Sequence, residues 1–187
     1  MKIVKLTEQT KKDLLRDLLQ RSPQSYGSYE AVVAEIVEAV RKDGDKAVFS
    51  YTEQFDHFPL SADNIKVTRE EIEQAYKELP AELVAVYKKS AENIRVFHEK
   101  QLRSSWFDSR PDGTILGQRM IPIERAGVYV PGGKAAYPSS VLMNVIPARV
   151  AGVDQIIMTT PCNREGKVNP GTLVAADIAG VDVIYKV

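Results

Sequence analysis

The sequence predicts an α/β protein: a mainly helical N-terminal region over residues 1–103, then a hairpin and a βαβαβ parallel sheet over 104–187. Three observations carry this. Apolar residues recur at helical spacing through the first region, and the pattern breaks at "SSWFDSRPDGTILGQRMIPIE". From Gly127 onward, short apolar runs alternate with capped helical stretches. Strands separated by helices run parallel, because only a crossover of that length returns the chain to the same end of the sheet.

In the helical region, Leu14, Leu15, Leu18 and Leu19 share one face of a first helix that stops near Ser22-Pro23, since the residue before proline avoids the helical conformation. A second helix follows a Ser28 cap. It is expected to bury Val32, Val33, Ile36, Val37 and Val40, and to end with Arg41 and Lys42 at its negative pole and Gly44 beyond. Asp45 caps a third, with Val48, Tyr51 and Phe55 on its face. A short strand over Ile65–Val67 leads into Thr68-x-x-Glu71, a capping box that satisfies two free backbone donors at the next helix start. Pro80 suits the first turn of a longer helix carrying Leu83, Tyr87, Ala91, Ile94 and His98 on one face.

Pro111-Asp112-Gly113 lies between two extended stretches and predicts a β-hairpin. A strand over 127–130, a helix over 139–151, a strand over 155–160, a helix over 170–179 and a strand over 182–187 follow; Asn169 caps the second of these helices and Pro170 takes its first position. Pro147 should kink or end the first, because an interior proline costs roughly 3 kcal/mol.

The totals exclude several classes. With 187 residues, 44% apolar and 27% charged, the chain can build one good core. Lys+Arg and Asp+Glu stand at 25 each, so no net field draws it to nucleic acid or an anionic membrane. No apolar run approaches the ~20 residues of a membrane helix. The single Cys162 cannot form an internal disulfide, and "MKIVKLTEQTKKDLLRD" lacks the apolar centre of a signal peptide, so a cytoplasmic setting is expected.

The segment "GVYVPGGKAAYPSSVLMNVIPARVAG" holds the main candidate site. Ligands of open parallel sheets bind beyond the carboxyl ends of the strands, where loop 131–138 lies. Gly132 and Gly133 permit close approach of a ligand or a positive φ. Amides near Ser139 and Ser140, at a helix start, suit an anionic group. Tyr129 alternates away from Val128 and Val130, so its ring is either part of the core or meets a ligand at the strand end. Standard nucleotide motifs do not match: the dinucleotide fingerprint lacks its third glycine, and the phosphate loop has Val128 where its first glycine belongs and Ala135 after Lys134. A plain strand-to-helix connection explains the same residues.

Elsewhere, bland readings prevail. His98 lies on an apolar helix face without the second histidine of a zinc motif, and His57 has no neighbouring ligand. Two histidines and one cysteine do not build a zinc site within this chain. Cys162, in "TTPCNREG", has no adjacent base and reads as an inert thiol. Glu70 and Glu71 belong to a helix start.

The segment "RAGVYVPGGKAAYPSSVLMNVIPARVAGV", residues 125–153, resembles the signature of the histidinol dehydrogenase family. Phe55-Asp56, "ENIRVFHEKQ" over 92–101 and the single tryptophan followed by a "PDG" turn are also similar to that family's N-terminal region. The resemblance implies an incomplete Rossmann-like fold in an aldehyde-dehydrogenase-like sandwich. It implies a zinc-containing homodimer that uses NAD to oxidise L-histidinol to L-histidine through an aldehyde, in the last steps of histidine biosynthesis. It also assigns Tyr129 to NAD, with Pro131, Gly132, Ser139 and Ser140 lining the site.

Family members are more than twice this length. Their zinc ligands (a glutamine, two histidines and an aspartate), their catalytic glutamate–histidine pair and a "GGAQAI"-type cofactor segment all follow the point matching "VDVIYKV". The expectation is therefore an N-terminal portion with no catalytic or metal residue of its own, inactive alone. Two other expectations remain open: a stand-alone nucleotide- or anion-binding module, and a helical interaction protein using residues 1–55.

Overall fold

The computed structural model describes residues 5, 7–13, 27–132 and 136–187; Leu14, Leu15, Leu18, Leu19 and the Ser22-Pro23 stop lie outside the described residues, as do Gly133, Lys134 and Ala135. The chain divides into two units, Met1–Val48 and Phe49–Val187.

In the first unit residues 8–13 are helical, and α1 (Gly27–Asp43) begins one residue before the expected Ser28 cap. Its last turn carries Arg41 and Lys42, and Gly44 follows at φ 59°, a left-handed stop that suits glycine. The expected buried face is not buried. Val32, Val33 and Val37 are exposed, and Ile36 and Val40 are half-buried. Periodicity identifies which face of a helix is apolar; it does not supply the surface that covers it.

Helix α2 (Asp45–Asp56) opens directly after Gly44, and in its second half the rings of Tyr51 and Phe55 stack at 5.8 Å. It ends at His57, a left-handed residue at φ 59°. In place of the expected strand, 65–67 forms a single antiparallel bridge between Lys66 and Tyr185. Val67 N–H donates to Ile184 O at 3.0 Å and Lys186 N–H to Ile65 O at 2.8 Å. Helix α3 (Arg69–Glu78) starts with the predicted capping box: Glu71 N–H donates to Thr68 Oγ1 at 3.3 Å and Thr68 N–H to Glu71 Oε2 at 2.9 Å. Pro80 caps α4 (Ala81–Glu99) from just outside it. Ala91 is buried, and Val84, Tyr87 and Ile94 pack half-buried against the core.

The hairpin pairs β1 (Trp106–Ser109) with β2 (Ile115–Gln118), Ser109 opposite Ile115, around Gly113 at φ 84°. All eight strand residues are exposed. The parallel sheet has the order β3-β4-β5: β3 (Arg125–Tyr129), β4 (Gln155–Thr160) and β5 (Val183–Lys186). Between them run α5 (Pro138–Val150) and α6 (Pro170–Ala179).

The fold class is thus the α/β arrangement expected, with the parallel βαβαβ unit in place. Helix α5 does not break at Pro147. Only three residues follow, and Pro147 O accepts Ala151 N–H at 2.9 Å, so the missing donor costs the last turn one bond rather than its geometry. Asn169 Oδ1 accepts from Gly171 and Thr172 N–H, and Gly180 closes α6 at φ 88°.

One face of the sheet builds the core. Ile156, Met158 and Thr160 alternate inward along β4 and meet Val141, Val145 and Ile146 of α5 and Val174 of α6, all essentially without exposure. Each such aliphatic side chain contributes about 1.5–3 kcal/mol of burial. Helices α3 and α4 pack outside α5 and α6. Arg69 and Tyr76 of α3 both donate to Asp177 of α6, at 2.6 and 2.8 Å, and burial with that bond pushes the Tyr76 phenol up to about 12.

A candidate cofactor crevice at the carboxyl ends of the strands

Strand alternation decides what β3 presents at its end. Val130 N–H donates to Thr159 O at 3.0 Å and Gln155 N–H to Glu124 O at 3.2 Å, so even-numbered residues bond to β4 and odd-numbered ones turn their backbone groups to the outer edge. Val130 has no exposure, whereas Tyr129 is 62% exposed. The ring therefore lies outside the core that this chain builds. Its phenol stands at the carboxyl end of the first parallel strand, where ligands of such sheets bind.

Beyond Tyr129, Pro131 is exposed and Gly132 is half-buried. The glycine is required by a neighbour in the chain itself: a Cβ there would lie 2.9 Å from Pro161 Cγ and 3.2 Å from Pro161 O. Gly132 thereby fits loop 131–132 to the end of β4. Ser139 is exposed and Ser140 half-buried in the first turn of α5. Ser140 N–H donates to Tyr137 O at 3.0 Å, so of the two expected amides this one is engaged within the turn, and Ser140 can offer a ligand its hydroxyl instead. Tyr129, Pro131, Gly132, Ser139 and Ser140 thus gather at one end of β3 and α5.

Next to them lies a cleft of about 370 Å³ lined by Gly132, Thr160, Cys162, Asn163, Lys167 and Thr172, among others. Asn163 shapes its rim, its Oδ1 accepting from Glu165 and Lys167 N–H at 3.0 and 2.9 Å. The Cys162 thiol is buried and burial pushes its pKa up, so it stays protonated near neutrality, as an inert thiol does. Lys186, at the end of β5, is also buried, its Nζ 2.6 Å from Glu71 Oε1. Sequence reasoning missed this ion pair, although the alternation Val183-Ile184-Tyr185-Lys186 puts the lysine on the same face as buried Ile184.

His98 is a half-buried rim histidine, its Nδ1 2.7 Å from Gln101 Oε1, and His57 is exposed. Among the described residues no group of three or more histidine, cysteine or acidic side chains is placed to hold a metal, so they do not fit a zinc ion. Among them, too, no helix is long and apolar enough to cross a membrane.

Comparison with known proteins shows the family and the fold. Residues 19–187 match the family described as histidinol dehydrogenase. The chain is 54% identical over 154 residues to the histidinol dehydrogenase of Bacillus subtilis, which covers 82% of this chain and 36% of that protein. It is 48% identical over 168 residues to that of Heliobacterium mobile, covering 90% and 39%. A crystal structure of histidinol dehydrogenase from Elizabethkingia anophelis superposes with a TM-score of 0.78 at 34% identity, over 84% of this chain and 36% of that one. The chain therefore spans under two fifths of the length of these relatives. With segment 125–153 containing β3 and α5, and with the match running from residue 19 to the last strand, the chain belongs to the histidinol dehydrogenase family.

Proposed function

We propose that this chain is the cofactor-side portion of a histidinol dehydrogenase, an enzyme that oxidises L-histidinol to L-histidine through an aldehyde with NAD. What supports the reading most is Tyr129: an exposed phenol at the carboxyl end of β3, inside the family's signature segment and beside the first turn of α5. NAD, when bound, accepts the hydride. Tyr129 packs against the cofactor, Pro131 and Gly132 form the floor of its crevice, and the Ser139 and Ser140 hydroxyls hydrogen-bond its polar groups.

The zinc, its ligands and the groups that move protons belong to the part of the full-length family protein that this chain does not span, as does the histidinol site. That protein works as a homodimer. Alone, the chain binds NAD weakly and turns over nothing.

The test is NADH formation from L-histidinol by the purified chain, alone and together with the rest of the Bacillus subtilis protein. Turnover only in the mixture supports the reading. Turnover by the chain alone contradicts it, and tight binding of NAD or phosphate without turnover in either case favours a stand-alone binding module.

A further inference from the structure

We propose that the cleft between the end of β4 and the start of α6 is a subsite for a ribose cis-diol, bound by the hydroxyls of Thr160 and Thr172. The cleft stands on its own residues; the choice of ribose rests on the cofactor reading above. Thr160 ends β4 and Thr172 lies in the first turn of α6, and both line this space of about 370 Å³, at the small end of ligand-site sizes. They are 1% and 2% exposed. Among the described residues neither hydroxyl has a hydrogen-bond partner, yet no side-chain oxygen sealed from solvent lacks one. The little exposure left to each threonine therefore lies at its hydroxyl and faces the cleft. A hydroxyl buried on every side but one takes its partner from whatever fills that side.

The surroundings select a neutral ligand over an anion. A helix start ordinarily offers free amides to a phosphate, but α6 has none left. Pro170 carries no N–H, Asn169 Oδ1 accepts from Gly171 and Thr172 N–H at 2.9 and 3.3 Å, and Leu173 N–H donates to Asn169 O at 3.1 Å. Glu78 adds a carboxylate to the lining. Lys167, the one cation among the described lining residues, is 74% exposed and lies 3.6 Å from Glu165 Oε2. A phosphate here would leave water for too few donors, whereas threonine hydroxyls both donate to and accept from a diol. Position points the same way. In dinucleotide sites an acidic side chain beyond the glycine turn holds the ribose 2′-hydroxyl. Gly132 lines this cleft, and the strand that follows it, β4, ends on Thr159-Thr160 without a carboxylate, so the task falls to hydroxyls.

The same diol is presented by the adenosine half of a dinucleotide and by a free nucleoside. The test is a titration of the purified 187-residue chain with adenosine, 2′-deoxyadenosine and NAD, followed through amide chemical shifts, for the parent and for Thr160→Val, Thr160→Ser and Thr172→Val. Adenosine is expected to move the amides of Thr160, Cys162 and Thr172 and to bind roughly tenfold more tightly than 2′-deoxyadenosine, the worth of one or two hydrogen bonds. T160V and T172V are each expected to lose most of that preference, and T160S, which keeps the hydroxyl, to retain it. Since neither hydroxyl bonds within the chain, the urea midpoints of both valine variants stay level or rise. The proposal is overturned if the parent binds neither nucleoside or both alike, if the shifts fall away from the cleft, or if both valine variants keep the preference. Marked destabilisation of both valine variants also overturns it, because the hydroxyls would then be serving the fold. NAD moving the cleft amides together with that of Tyr129 identifies the diol as the dinucleotide's own. Adenosine filling the cleft with no response to NAD supports the subsite and counts against the cofactor reading.

Discussion

Lys186 Nζ lies 2.6 Å from Glu71 Oε1, with the lysine side chain 7% exposed and the glutamate 31%. The same carboxylate accepts Thr68 N–H through Oε2, so a single side chain closes the capping box of α3 and neutralises the cation at the end of β5. Removing one partner of a buried pair leaves the other charge uncompensated. Glu71→Gln should destabilise the chain by about 3 kcal/mol in urea unfolding, and Glu71→Gln with Lys186→Met should recover most of that loss. A double variant no more stable than Glu71→Gln alone would show that the charge pair is not the cause.

Asp182 gives stability a pH signature. Burial opposes its ionisation, but Ile156 N–H at 2.6 Å and Arg149 at 2.5 Å outweigh that and hold its carboxyl below the ordinary 3.8. A group depressed in the folded state binds its proton more readily when unfolded. Its contribution is therefore complete above the unfolded value and is lost as pH falls below about 4 towards the folded value. Asp182→Asn should be less stable than the parent at pH 7, with the two urea midpoints converging as pH is lowered through that window.

Tyr129 should separate binding from folding. At 62% exposure its truncation removes little buried area. Tyr129→Ala should shift unfolding by no more than about 0.5 kcal/mol. In the chain reassembled with the rest of a family protein, it should weaken NAD binding by roughly tenfold, measured by fluorescence titration, about the worth of one aromatic contact. A large loss of stability would place the ring in the core.

Two glycines of the signature strand and loop should respond in opposite ways. Gly132→Ala drives a Cβ to 2.9 Å from Pro161 Cγ and should cost about 1–3 kcal/mol, while Gly127→Ala enters open space and should be neutral or mildly stabilising, by about 0.5 kcal/mol. Thermal unfolding of the two single variants decides it.

The folded Cys162 should react slowly with a thiol reagent such as Ellman's reagent and rapidly once urea unfolds the chain, because burial raises its pKa and blocks access. Equal rates would mean the loop after β4 is open in solution.

Local signals in the sequence proved legible wherever the chain itself satisfies them. Thr68 and Glu71 close the expected box, and Asn169 and Pro170 open α6, each settled within a few residues of its own backbone, whereas the alternation around Tyr129 left its ring open between core and surface until its exposure was seen. What could not be read depends on distant partners. The apolar stripe of α1 is visible in the spacing of Val32, Val33 and Val37, yet nothing in a periodicity tells whether a surface covers it. The bridge from 65–67 to β5 and the Lys186–Glu71 pair join segments far apart in sequence, and neither has a short-range signature. For the site, Gly132 was legible as a position needing glycine. Its reason, the contact with Pro161, was not.

The bridge between Lys66 and Tyr185 joins positions more than a hundred residues apart. On a ribosome, the N-terminal partner emerges long before the C-terminal one exists, and closing so long a loop carries an entropic cost that local helices do not. Helices α3 and α4 can form early, but the far side of the sheet can be sealed only when translation has passed Lys186. Until then β5's partner segment is an unpaired extended stretch exposed to other nascent chains, which makes this seam the step most sensitive to crowding and to chaperones.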